Sequence, residues 1–86
     1  MSTEHDVTET LDAKGLNCPM PVVKAKQAVD ELDAGDVLEV LATDPGSVSD
    51  VEGWASATDG VELLEQGELE AGGETVYRHY VRRTGS

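Results

Sequence analysis

A chain of 86 residues with 38% hydrophobic content, one Trp, two Tyr and no Phe can form one small domain around a thin core. One Cys and two His exclude an intrachain disulfide and give too few soft ligands for a metal, so no metal and no cofactor is expected. A formal net charge of −12 excludes general nucleic-acid binding, which depends on basic patches that neutralise phosphate.

In chain order, residues Met1 to Asp6 are read as a flexible tail and residues 7–86 as a single domain. Val7 to Leu11 alternates apolar with polar residues and predicts a short first strand. Asp12 to Asn17, with Gly15 and Asn17, predicts the turn out of it. A helix follows, with Pro21 in its first turn, where a missing N–H is no loss. Val22, Ala25, Val29 and Leu32 repeat at helical spacing with Ala28 on the same face, while Lys24, Lys26, Asp30 and Glu31 point outward. Gly35 is the expected left-handed stop.

Asp36 to Thr43 carries the nearly continuous apolar run of a central strand. After the Asp44-Pro45-Gly46 turn, Ser47 is expected to cap a second helix with Asp50 three residues on. Val48, Val51, Trp54 and Ala55 form the apolar stripe of that helix, which should end near Thr58-Asp59-Gly60. Val61 to Glu70 and Glu74 to Arg83 predict two strands joined by a Gly72-Gly73 hairpin turn. The order β-α-β-α-β-β predicts an α/β two-layer sandwich: a mixed four-stranded sheet with both helices on one face.

A lone thiol suits a reducing compartment, no apolar run approaches the roughly 20 residues that span a bilayer, and Met1 to Glu9 lacks the pattern of a signal peptide. A cytoplasmic protein without membrane contact is expected. The acidity is read as adaptation to high salt, where ions screen self-repulsion. All basic residues fall in two groups: Lys14, Lys24 and Lys26 around the cysteine, and Arg78, Arg82 and Arg83 near the C-terminus.

Gly15-Leu16-Asn17-Cys18-Pro19-Met20-Pro21 is the segment with chemical specificity. Pro19 and Pro21 restrict the backbone and fix how the chain enters the helix. Cys18 falls just before the first turn, where backbone N–H groups and the helix dipole favour thiolate over thiol. The thiolate is the reactive form, and the same field favours a persulfide anion. Lys24 and Lys26, one to two turns later, add positive potential if they face the site. Asp12 is a candidate for orienting the loop through backbone amides.

Elsewhere the plain readings prevail. Asp44 reads as a turn residue, Trp54 as core, and His5 as solvent-exposed. His79 lies in a strand with either face open to it and receives no chemical role. No Cys-His pair and no phosphate-loop signature is present.

From Leu11-Asp12 through Gly15-Leu16, Cys18-Pro19-Met20-Pro21 and Gly35, the chain resembles the TusA/SirA family of small sulfur carriers and its C-P-x-P motif. Thr43-Asp44-Pro45 with Asp50-Val51 and Trp54, and Tyr77-Arg78 with Val81-Arg82-Arg83, extend the resemblance to nearly the whole chain. It implies a fold like the C-terminal domain of translation initiation factor three. It also implies that Cys18 takes sulfane sulfur from a donor protein, a cysteine desulfurase or rhodanese-like, and passes it to an acceptor protein for tRNA thiolation, molybdenum-cofactor work or sulfur metabolism. Pro19 and Pro21 would then shape the loop, and Lys26 would stand where the family often has a basic residue. The free protein is expected to be a monomer. The strong acidity departs from typical relatives. The rival function is a regulatory module whose Cys18 senses redox state or is structural, and selenium could travel by the same chemistry.

Overall fold

A computed structural model describes residues 7–17 and 20–84, so the expectations for the Met1 to Asp6 tail and for the backbone at Cys18 and Pro19 lie outside the described residues. The elements are β1 (Glu9–Ala13), α1 (Met20–Asp30), β2 (Val37–Ala42), α2 (Ser47–Ala57), β3 (Val61–Ala71) and β4 (Glu74–Arg83). They build one four-stranded sheet in the order β1-β2-β4-β3. β1 runs parallel to β2, and β4 is antiparallel to both of its neighbours. β3 is therefore parallel to β2 but one strand away, and the hairpin returns β4 into the gap. Gly72 (φ +60°) and Gly73 (φ +83°) both take the left-handed conformation that a tight two-residue hairpin turn requires.

The period of two along each strand decides what faces the helices. Leu38 and Val40 of β2, Ala13 of β1 and Val81 of β4 are fully buried and meet Ala25 and Val29 of α1 and Val51 of α2 in one cluster. Trp54, Val61, Leu63 and Leu11 pack around it. At about 1.5–3 kcal/mol for each fully buried Leu or Val, these few residues carry most of the domain's stability. Val37, Glu39 and Leu41 turn to the opposite face of the sheet. There Glu39 accepts hydrogen bonds from Thr10 (3.0 Å) and from the Tyr80 phenol (2.8 Å). Burial, and then the bond to Glu39, raise the Tyr80 pKa above its ordinary value.

Three local expectations change. β1 extends through Asp12 and Ala13 instead of ending at Leu11, because the register Leu11↔Val40 and Ala13↔Ala42 brings Leu11 and Ala13 under the helices. α1 ends at Asp30, and the bonds Glu31 N–H to Ala28 O (3.1 Å) and Leu32 N–H to Val29 O (3.0 Å) tighten its last turn, which still delivers Leu32 to the core. Ser47 is not the cap of α2: Gly46 holds that position with no side-chain bond, and the Ser47 hydroxyl is drawn into the interior by His79. Gly35 does adopt the left-handed conformation (φ +92°), and its N–H donates to the Arg83 carbonyl, tying the chain beyond α1 to the end of β4.

Candidate functional site

Because β1 and β2 are parallel, their C-terminal ends share one edge of the sheet, and both helices start there. The segment that leads to Cys18 crosses this edge. Asp12 Oδ1 accepts the Lys14 N–H (3.1 Å), and the Leu16 N–H donates to the Ala13 carbonyl (3.3 Å). The turn between them needs Gly15 in the left-handed region (φ +85°), a conformation costly for residues with a Cβ. The Gly15 N–H reaches across to β2's exit and donates to Thr43 Oγ1 (2.9 Å). Beyond Cys18 and Pro19, the Met20 N–H donates back to the Asn17 carbonyl (2.9 Å). The described residues on either side of Cys18 are thus joined to each other, and the chain before them is fastened to the sheet.

Pro21, in the first turn of α1, is buried, so its ring anchors the helix start while bringing no N–H to it. Met20 and Val23 stay more than a third exposed, and Lys24 is exposed one turn along the helix. Lys26 has a different setting. It lines a cleft of about 180 Å³ with Asp30, Trp54, Thr58, Asp59 and Arg83, formed by the C-terminal ends of both helices and therefore at the other end of α1. Of the sequence-derived candidates, Asp12 and Gly15 lie in or next to the loop and Pro21 in the first turn of α1, while Lys24 is an exposed residue one turn further along that helix. Arg83 fastens this far end by donating to the Val29 carbonyl (2.9 Å).

A second polar cluster lies inside the same corner. His79, fully buried on β4, has its Nε2 3.0 Å from Ser47 Oγ and its Nδ1 3.1 Å from Gln66 Nε2. Gln66 Nε2 also donates to the Val48 carbonyl (2.9 Å), which identifies that atom as the amide nitrogen. Its second hydrogen then goes to Nδ1, so Nδ1 accepts, and the proton of the neutral ring sits on Nε2 and is donated to Ser47. Burial holds the ring in this form and pushes its pKa down to about 4. The group ties the start of α2 to β3 and β4. Sequence reasoning missed it because Ser47, Gln66 and His79 are distant in the chain. The alternation of β4, which puts Val81 and His79 on one face, was the available signal.

Among the described residues no group of three or more His, Cys, Asp or Glu could hold a metal, and no helix is long and apolar enough to cross a membrane. The fold and the fastened loop define a small two-layer α/β domain whose one cysteine stands in the sequence two residues before Met20, the first residue of α1. A family profile described as Sulfurtransferase TusA matches residues 9–83, and the chain belongs to that family. A protein of Halobacterium salinarum, named as a candidate sulfur carrier, is 62% identical over 84 residues, covering 98% of this chain and 99% of the relative. The sulfur carrier protein TusA of Allochromatium vinosum is 49% identical over 63 residues, covering 73% of this chain and 82% of its own. The crystal structure of a SirA-like protein from Desulfitobacterium hafniense shares the fold with a TM-score of 0.63 at 30% identity, covering 91% of this chain and 99% of that one.

Proposed function

We propose that this chain is a sulfur carrier that holds sulfane sulfur as a persulfide on Cys18. The observation that carries the reading is the setting of the chain's sole cysteine: Asn17 and Met20 on either side of it are joined, and α1 starts at Met20. A helix start of this kind favours an anionic sulfur. Family membership and the names of the relatives support the same chemistry.

The step is an exchange at sulfur. The Cys18 thiolate attacks the outer sulfur of a donor protein's persulfide. A bond forms between Cys18 Sγ and that sulfur, the donor's S–S bond breaks, and its electron pair leaves on the donor thiolate. The reverse exchange delivers the sulfur to an acceptor thiolate. No net oxidant is consumed, and no additional general base is needed once Cys18 is a thiolate. Asp12 and Gly15 shape the loop together with Pro19, Pro21 fixes the start of α1, and Lys24 supplies positive charge beside the cysteine. Partners of two kinds follow: a persulfide donor of the cysteine desulfurase or rhodanese-like class, and a thiol-bearing acceptor protein.

Carriage requires release as well as loading. Protein charged with isotopically labelled sulfane sulfur, separated from its donor and mixed with a thiol acceptor, is expected to give up the label and return to the free thiol. Label that stays on the chain, or charging that proceeds equally on Cys18→Ser, would favour the redox-sensing module instead.

A further inference from the structure

We propose that Thr43 is a positioning residue for Cys18, setting its reactivity through the hydrogen bond that its side chain accepts from Gly15. The inference rests on Cys18 being the reactive group of the carrier.

Among the described residues, four hydrogen bonds organise the chain between β1 and α1. Three of them, Lys14 to Asp12, Leu16 to Ala13 and Met20 to Asn17, are local to the segment and the end of β1. They shape it but do not say where it sits. The bond from the Gly15 N–H to Thr43 Oγ1 (2.9 Å) comes from outside the segment and fixes its place against the sheet. Thr43 is well sited for this, because it directly follows Ala42, whose register partner is Ala13 at the end of β1.

The chain beyond Thr43 is itself held by hydrogen bonds. Asp44 Oδ1 accepts the Gly46 N–H (2.9 Å), and the Asp44 carbonyl accepts the Ser47 N–H (2.9 Å). Ser47 is fully buried and bonded to His79, and Gln66 holds the next residue, Val48. Thr43 therefore refers the cysteine segment to a buried, hydrogen-bonded corner at the start of α2. Removal of the Thr43 acceptor unfastens the Gly15 end of the stretch that carries Cys18, two residues before α1 begins at Met20. The field there favours its thiolate and falls off within that turn.

The test reads Cys18 alkylation by iodoacetamide against pH in Thr43→Val, which keeps the shape and removes the acceptor, and in Thr43→Ser, which keeps it. This readout needs no sulfur donor, so its failure is distinct from a failure of sulfur carriage. For Thr43→Val the midpoint of the pH profile is expected to rise, and the rate near neutral pH to fall about fivefold. Thr43→Ser is expected to restore the wild-type profile. A purely structural role would lower the melting temperature of Thr43→Val and leave the midpoint unmoved, which would overturn the proposal. An equal defect in Thr43→Ser would overturn it too. Should Thr43→Val not fold, amide exchange on the wild-type protein decides. The Gly15 N–H is expected to be protected, and exchange at the open-chain rate would refute the anchor.

Discussion

Acidification from about pH 7 to about pH 5 is expected to destabilise the domain by up to about 2 kcal/mol, roughly 10 °C in melting temperature for a chain of this size. The source is His79, whose folded-state pKa is pushed from 6.5 down to about 4 by burial. In the unfolded chain the ring takes up a proton below pH 6.5, whereas the folded domain resists until about 4. The unfolded state therefore binds more protons across this window. The stability that His79 contributes is complete above the unfolded value and is lost as pH falls towards the folded one.

The geometry explains why the ring resists. Protonation would place an N–H on Nδ1 facing the Gln66 amide hydrogen that it now accepts. Gln66 cannot turn its oxygen to the ring without withdrawing its nitrogen from the Val48 carbonyl. Either way a buried polar group at the start of α2 loses its partner, which costs about 1–3 kcal/mol. The check is urea unfolding at stepped pH, comparing wild type with His79→Gln. The variant is expected to be less stable near neutral pH but flatter with pH. Parallel slopes in the two proteins would refute the assignment, and an NMR titration of the His79 ring in the wild type provides a direct reading.

Raising KCl from about 0.1 M to about 1 M is expected to stabilise the protein by a similar amount, because the screening length contracts from about 10 Å to about 3 Å. The chain carries a formal net charge of −12. Glu62, Glu68, Glu70 and Glu74 line the exposed parts of β3 and the start of β4. Arg82 pairs with Glu62 at the open end of the hairpin, and Thr75 donates to Glu70 (2.8 Å) near its turn. Such a row blunts the sheet edge against pairing with other chains, at the expense of mutual repulsion. A flat response near neutral pH would show that repulsion does not limit stability.

Much of this architecture was legible from local chemistry. β4 was read residue for residue, because Gly72-Gly73 marks its start and the alternation runs to Arg83. α1 was legible from Pro21 and the 3.6-residue repeat. Two of the three differences have one cause: tertiary pairing overrides local preference. Asp12 and Ala13 carry turn-like chemistry but complete β1, because β2 offers Leu41 and Ala42 as partners. Ser47 has the composition of a cap, yet a histidine 32 residues away takes its hydroxyl. The site shows the same division. Asp12, Gly15 and Pro21 could be found near the cysteine in sequence, whereas Thr43 is joined to the loop by the parallel pairing of two strands.

The measurement that tests the central claim most directly is the intact mass of the reduced protein after incubation with a cysteine desulfurase and cysteine, or with a rhodanese and thiosulfate, beside Cys18→Ala. The account predicts a gain of one sulfur atom on the wild type, removed by reductant and absent from the variant. No gain with either active donor, or the same gain on Cys18→Ala, would contradict it.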